Sequence, residues 1–150
     1  MAKVNVRHKV RAIYYDSDKG LFLIQTPKSM RDDTWTAPGG TIVHSRNRIS
    51  ELTRLIAEEV GLVPLNVAGQ PFYGVNCPTK KGFIHTFAYD VELDVSSLSD
   101  TNLNYCFVLQ SDLSGVNLTS TMINIVSSSQ FNVLVQGKKM DALRAVEYAG

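Results

Sequence analysis

Apolar positions along the chain follow two periods, one typical of a strand and one typical of a helix. From residue 83 to 93 every second residue is apolar or aromatic, which predicts a strand with one core-facing side. Another set of apolar residues recurs at helical spacing: Ile49, Leu52, Ile56 and Val60. All four lie within about 80° of one another on a helical wheel, so the spacing predicts a helix over 49–60. Gly61 ends this helix and Pro64 prevents an early restart.

Shorter apolar runs predict the remaining elements. Residues 10–15 and 21–25 are rich in apolar and aromatic side chains and flank a polar turn that contains Gly20, which predicts a β-hairpin. Three later segments predict, in chain order, a strand, a short helix and a terminal helix: residues 105–109, 122–126 and 138–149.

Composition and charge narrow the class of protein. A length of 150 residues predicts a single domain, 1–150, and a formal charge of +1 gives no general attraction to nucleic acid. Cys77 and Cys106 lie far apart and form no metal-ligand spacing, and neither a signal peptide nor a membrane span is evident. We therefore expect a cytoplasmic protein with no membrane partner. The oligomeric state stays open, with a homodimer as the common arrangement among soluble oligomers.

Carboxylates line the predicted helix outside its apolar stripe. Glu51 and Glu58 lie about 20° apart on the wheel, and Glu59 lies at the edge of the stripe. Carboxylate oxygens on a rigid helix can hold Mg²⁺, and such ions can bridge a diphosphate. The alternative is that these residues form an ordinary solvated helix face.

The segment Gly40–Leu62 resembles the Nudix box, whose family pattern is G-x5-E-x7-R-E-U-x-E-E-x-G-U, where U is aliphatic. Seven of the nine specified positions match: Gly40, Arg54, Ile56, Glu58, Glu59, Gly61 and Leu62. The preceding Trp35-x-x-Pro-Gly-Gly segment also resembles the family. The resemblance implies an α/β fold, a Nudix-type α/β/α sandwich with a mixed central sheet.

The same resemblance implies a chemistry. Family members hydrolyse the pyrophosphate bond of a nucleoside diphosphate linked to another group, using Mg²⁺ or Mn²⁺ and an activated water. The candidate substrate is a small nucleotide such as ADP-ribose, a dinucleoside polyphosphate, NADH or a nucleoside triphosphate. Glu58 and Glu59 correspond to the paired metal-binding glutamates, which also serve in catalysis, and Arg54 corresponds to the arginine that orients them.

Further residues are expected to contact the substrate. Gly39 and Gly40 would allow the loop to approach the diphosphate closely. Arg11 and Lys28 would meet phosphate oxygens, although both are also ordinary surface charges.

Two departures from the box weaken the expected activity. Arg46 replaces the first glutamate of the pattern, and Leu55 replaces the glutamate that follows the box arginine. Leucine can neither bind Mg²⁺ nor accept a proton, and its side chain can instead pack under a neighbouring loop. Glu51, one turn earlier on nearly the same face, is a candidate substitute carboxylate. The alternative function is a catalytically impaired Nudix-like domain that binds a nucleotide or a protein partner without hydrolysis.

Other candidate residues are less specific. His44 precedes the box helix and could contact phosphate, but a loop histidine is more often only solvated. Asp100 is the nearest acidic residue beyond the central strand. Several aromatic side chains could stack on a nucleobase, although core packing is favoured for the last two: Phe72, Tyr73, Phe83, Phe87 and Tyr89.

Overall fold

A computed structural model describes residues 5–42, 47–100 and 103–149. The strands are, in chain order, β1 (Asn5–Ile13), β2 (Tyr15–Asp16), β3 (Gly20–Gln25), β4 (Gly39–Ile42), β5 (Asn66–Val67), β6 (Tyr73–Thr79), β7 (Gly82–Glu92) and β8 (Asn104–Val108). The α-helices are α1 (Pro27–Arg31), α2 (Arg48–Val60), α3 (Ser120–Val126) and α4 (Ser129–Ala149), with 3₁₀ turns at Val95–Asp100 and Gln110–Gly115.

The chain divides into two compact units, each built from two stretches of sequence. The first comprises the chain up to Ile13 and Ala37–Leu103, and the second comprises Tyr14–Thr36 and the chain from Asn104 onward. The single domain expected from the chain length stays a prediction.

The first unit contains a mixed five-stranded sheet. Its order is β4-β1-β7-β5, and β6 also pairs with β7. β1 runs parallel to β7 and antiparallel to β4, so it lies between strands that are distant in sequence. β7 has the bounds expected from the 83–93 alternation to within one residue, which confirms that prediction.

Helix α2 confirms the helix predicted over 49–60. The Asn47 side chain caps its first turn by accepting a hydrogen bond from the backbone N–H of Ser50 at 3.0 Å. Gly61 ends the helix with a left-handed φ of +79°. Three of the four stripe residues are buried: Leu52, Ile56 and Val60. The apolar stripe therefore packs into the core, and the carboxylates are left on the other faces.

The second unit corrects the predicted hairpin. β3 pairs with β2 and β8 in an antiparallel three-stranded sheet, and Tyr15 is the one residue of the 10–15 segment that the strand pairing places opposite β3. Residues 10–13 belong to β1 of the first unit, where they pair with β7. The hairpin across the Gly20 turn is therefore confirmed between β2 and β3, but its first arm is shorter than predicted. The assignment of residues 10–13 to it was wrong because an apolar run shows that residues are extended but does not identify their partner strand.

Helix α4 begins nine residues before the predicted start of the terminal helix. Polar residues and Gly137 weaken the helical signal over 129–137. Phe131 and Val135 within this segment are fully buried. Their packing stabilises helical structure over 129–137 that the propensities of the residues alone do not indicate. The predicted strand at 105–109 and helix at 122–126 are confirmed as β8 and α3.

Some predicted features fall outside this description. His44 and Arg46 lie outside the described residues, and the side chain of Asp100 is likewise not described. Among the helices of the described ranges, none is long and apolar enough to cross a membrane.

Candidate functional site

The start of β4 brings the box loop against β1. Gly39 has a φ of +145° and pairs with Arg11, and a Cβ atom on Gly39 would lie only 1.9 Å from the carbonyl oxygen of Val10. Only glycine fits this position without moving the backbone. Gly40 is different, because a Cβ atom there would have ordinary contacts, the nearest at 3.7 Å from Cδ1 of Leu55. The two predicted loop glycines therefore have different structural requirements.

Glu59 connects α2 to this loop. Its Oε1 accepts a hydrogen bond from the backbone N–H of Gly39 at 2.8 Å, and its side chain is partly buried. Burial raises the pKa of Glu59 above its ordinary value; the Gly39 hydrogen bond and the charge of Arg11 oppose this shift, while repulsion from Glu58 adds to it. Glu58 and Glu59 are thus close enough to interact electrostatically.

Arg11 supplies a positive charge beside Glu59. Its Nη1 donates a hydrogen bond to the carbonyl oxygen of Ala37 at 3.0 Å. Its Nε is enclosed and has no hydrogen-bond partner within the described ranges. Burial lowers the pKa of Arg11, and the charge of Glu59 opposes that shift. The guanidinium therefore binds the segment before β4 through the Ala37 carbonyl, and its buried Nε–H is left without an acceptor among the described residues.

Arg54 lies between two carboxylates on the outer face of α2. Its Nη2 and Nε donate to Oε2 of Glu51 at 2.6 and 3.1 Å, and its Nη1 donates to Oε1 of Glu58 at 2.8 Å. These hydrogen bonds raise the pKa of Arg54, first through Glu51 and then through Glu58. The side chain of Glu58 is 60% exposed, whereas that of Glu51 is only 16% exposed. Arg54 thus restrains both glutamates, with the exposed Glu58 facing solvent.

Leu55 occupies the position at which the box pattern has a glutamate. Its side chain is partly buried and lies beside Gly40. A Cβ atom on Gly40 would be 3.7 Å from Cδ1 of Leu55. This agrees with the expectation that Leu55 packs under a neighbouring loop. An apolar contact therefore takes the place of an ionisable group between the α2 carboxylates and the loop.

The donor set fits a magnesium ion that is held partly by a substrate. In the described parts of the chain, no group of three or more His, Cys, Asp or Glu side chains could hold a metal ion. Mg²⁺ is commonly bound in proteins through one or two carboxylates, with water and substrate phosphates completing its octahedron. The neighbouring carboxylates of Glu58 and Glu59 meet that requirement, but they do not form a complete cage.

A second cluster was not predicted from the sequence. The Arg48 guanidinium lies 4.0 Å from the centroid of the Phe87 ring, and its Nε donates to the Tyr89 hydroxyl at 2.9 Å. His8 and His85, paired in register on β1 and β7, have ring centroids 5.3 Å apart. The parallel β1–β7 register brings the two histidines together, and the packing of the start of α2 over β7 brings Arg48 to Phe87 and Tyr89. The sequence shows no local signal for either arrangement.

The remaining candidates are dispersed. Tyr89 is buried, in agreement with core packing, whereas Phe87 is only partly buried, beneath Arg48. Phe72 and Tyr73 are partly exposed, and Phe83 is 37% exposed.

Lys28 is an exposed residue of α1 in the second unit. Its predicted contact with phosphate stays a prediction.

Comparison with known proteins gives similarity in structure and not in sequence. No protein-family model matches the chain, and no curated protein matches it either. The solution structure of the E. coli ORF135 protein is similar over 100% of this chain and 99% of that one, with a TM-score of 0.62 and 20% identity. The MutT protein of Methanosarcina mazei Go1 is similar over 84% of this chain and 94% of its own, with a TM-score of 0.59 and 18% identity.

A UDP-X diphosphatase is similar over 84% of this chain and 63% of its own, with a TM-score of 0.63 and 18% identity. At these identities the likeness establishes the fold and leaves the activity open. The mixed sheet of the first unit agrees with a fold of this type. The predicted α/β fold of Nudix type is therefore confirmed.

Proposed function

We propose that this protein, which has the Nudix fold, hydrolyses the pyrophosphate bond of a nucleoside diphosphate linked to another group. The observation that carries the proposal is the arrangement around Glu59. Its carboxylate is tied to the Gly39 backbone at 2.8 Å, lies near the Arg11 charge, and is next to the solvent-facing Glu58. Paired acidic groups beside a loop that only glycine can form are suited to a metal-bound diphosphate.

The proposed roles follow from these contacts. Glu58 and Glu59 would hold Mg²⁺ or Mn²⁺, which when bound neutralises charge on the diphosphate oxygens. Arg54 keeps Glu58 oriented through their 2.8 Å ion pair. Burial raises the pKa of Glu59, and a carboxylate with such a shift is a stronger base toward a neighbouring water than an exposed one.

The other proposed site residues contact the substrate. The loop of Gly39 and Gly40 is proposed to lie against the diphosphate, although the missing side chain of Gly39 makes room for the Val10 carbonyl of β1 and not for the substrate. Arg11, which lies beside Glu59, and the exposed Lys28 are proposed to meet phosphate oxygens. The substrate class includes ADP-ribose, dinucleoside polyphosphates, nicotinamide dinucleotides and nucleoside triphosphates. We place the reaction in the cytoplasm, in keeping with the free thiols of Cys77 and Cys106.

Glu51 is proposed as the substitute for the missing glutamate. It lies one turn before Leu55, and it is held by the same arginine as Glu58. If Glu51 supplies the third carboxylate, Glu51→Gln lowers metal-dependent turnover by about 10²-fold or more. Unchanged turnover would remove Glu51 from the catalytic set.

A second candidate function is nucleotide or partner binding without hydrolysis. The partly buried Leu55 beside the Gly40 loop favours it, because a leucine there offers no base and no metal ligand. This function predicts nucleotide binding but no product. A homodimer is compatible with both functions.

Product analysis by mass spectrometry tests the proposal. The purified chain is incubated with a panel of nucleoside diphosphate derivatives and Mg²⁺ or Mn²⁺, alongside E59Q and E92Q. Glu92 is an exposed glutamate at the end of β7 and serves as the matched control. We expect cleavage that requires the metal, is lost in E59Q and is kept in E92Q. Binding without cleavage across the panel would favour the second candidate.

A further inference from the structure

Four aromatic rings lie side by side on one face of the first unit's sheet. Alternation along β7 places Phe83, His85 and Phe87 on this face, about 6.7 Å apart along the strand. His8 joins them from β1, because the parallel pairing puts it opposite His85. The His8 ring centroid lies 5.3 Å from that of His85 and 5.7 Å from that of Phe87, and the His85 and Phe87 rings are stacked with centroids 6.4 Å apart. We call these four side chains the ring strip.

The ring strip is not sealed in the core. Phe83 is 37% exposed, and the other three side chains are only partly buried. The β6 residues that pair with the three β7 rings are themselves exposed: Gly74, Asn76 and Pro78. Gly74 has no side chain beside Phe87, where a Cβ atom would lie 3.5 Å from the ring. Part of the ring strip is therefore accessible to a ligand.

Cations lie at both ends of the ring strip. At one end the Arg48 guanidinium lies 4.0 Å from the Phe87 ring centroid and donates from Nε to the Tyr89 hydroxyl at 2.9 Å. Its two Nη atoms have no acceptor among residues 5–42, 47–100 and 103–149, so they remain available to an anion. At the other end the β6–β7 turn carries Lys80 and Lys81, both exposed, just before the first ring.

The strands around the ring strip carry only positive charge. The segments that the pairing brings together here, 5–9, 41–42 and 73–87, contain no Asp or Glu. They contain four basic residues: Arg7, Lys9, Lys80 and Lys81. Glu51, the first carboxylate of α2, is paired with Arg54 at 2.6 Å. The net charge of +1 therefore conceals a locally basic surface, and such a surface attracts polyanions.

We propose that the ring strip and its flanking cations bind single-stranded nucleic acid, with unpaired bases on the rings and phosphates at Arg48, Lys80 and Lys81. Rings on neighbouring strands of a sheet are one arrangement by which proteins stack unpaired bases. Because Arg48 covers Phe87, the rings left for bases are those of Phe83, His85 and His8. An anionic lipid surface would use the lysines but not the rings. This inference does not depend on the proposed hydrolysis.

Fluorescence anisotropy of the full chain with a labelled RNA tests this binding. The probe is a fluorescein-labelled, mixed-sequence RNA of about 12 nucleotides that is not self-complementary. The titration contains EDTA, which keeps divalent metals out of the box site. Three phosphate contacts predict a log–log salt slope of about −2, so raising NaCl from about 50 mM to about 200 mM should weaken binding about 20-fold. The same RNA annealed to its complement should bind more weakly, because its bases are no longer free to stack.

Exposed positions supply matched variants. F83L removes one ring and keeps an apolar side chain, and it should weaken RNA binding about fivefold or more. K80S/K81S removes two of the three phosphate contacts and should reduce the salt slope to about −0.7. K139S/R144S removes the same charge from exposed positions of α4 in the second unit and should change neither quantity. Circular dichroism of all three variants confirms that they fold.

Several outcomes would overturn the inference. They are no RNA binding at about 50 mM NaCl, an equal loss in the α4 control, or a loss in K80S/K81S with none in F83L, which would leave a charged surface without base stacking. Binding to vesicles of phosphatidylserine and phosphatidylcholine without binding to RNA would assign the surface to lipid instead. E59Q should lose nucleotide cleavage and keep RNA binding, so the two proposals fail or succeed separately.

Discussion

Substitution of Gly39 by alanine tests the geometry of the box loop most directly. The methyl group would lie 1.9 Å from the Val10 carbonyl oxygen, far inside contact distance, at a φ of +145° that an L-residue rarely adopts. The backbone must move, and that movement disturbs the β1–β4 pairing at Arg11. It also weakens the hydrogen bond from Gly39 to Glu59. We expect the variant to lose stability and activity together.

The magnitude follows from these separate costs. A non-glycine residue at such a φ costs about 1–3 kcal/mol, and a weakened hydrogen bond to a charged group costs about 1.5–3 kcal/mol. Allowing for partial relaxation, G39A should lower the free energy of unfolding by about 3–5 kcal/mol. For a chain of this length that corresponds to a fall in Tm of roughly 6–20 °C.

Two neighbouring glycines provide controls. Gly40 has no positive φ, and its Cβ atom would meet Leu55 at an ordinary 3.7 Å, so G40A should change stability by less than about 0.5 kcal/mol. Gly61 has a φ of +79° but no atom within 4 Å of its Cβ position, so G61A should cost about 1 kcal/mol, from backbone strain alone. Urea unfolding followed by far-ultraviolet circular dichroism measures all three. A loss in G40A equal to that in G39A would refute the reasoning.

Three further outcomes are expected. Chelation by EDTA should abolish turnover, and Mg²⁺ or Mn²⁺ should restore it, as measured by product formation. Because burial raises the pKa of Glu59, its carboxyl group binds a proton more tightly in the folded chain than in the unfolded chain. The contribution of Glu59 to stability therefore falls as the pH rises from the ordinary glutamate pKa through the folded-state pKa. The Tm of E59Q relative to the unaltered chain in EDTA should therefore increase over that range. Burial also raises the pKa of the Cys106 thiol, so in C77S its alkylation at pH 8 should be slower in the folded protein than in urea.

Local signals in the sequence were enough to predict the elements that carry the box. The apolar stripe and the glycine cap predicted α2 to within one residue, and strict alternation predicted β7. Both signals are local, since each depends only on which face of one element is buried. The fold class followed from the resemblance of the box, and the structural comparisons confirm it.

Non-local pairing was not predictable in the same way. Residues 10–13 were expected in a hairpin, but β1 pairs with β4 and β7. The contact of Arg48 with Phe87 and Tyr89 depends on where the start of α2 lies over β7, which no spacing within either element reveals. The start of α4 was missed because burial of Phe131 outweighs its weak local propensity.

The contacts of α2 predict that a substitution at position 55 changes both stability and metal binding. The helix turns Glu59 toward Gly39 and Arg11, and it turns Glu51 and Glu58 toward Arg54, so the carboxylates fall into two separately balanced sets. Leu55 lies at the boundary between the sets and packs on the loop beside Gly40. A glutamate there would join the sets into one acidic surface, at the cost of an apolar contact and of added repulsion. L55E should therefore bind metal more tightly and unfold more easily without metal, because one side chain cannot both pack on the loop and coordinate the ion.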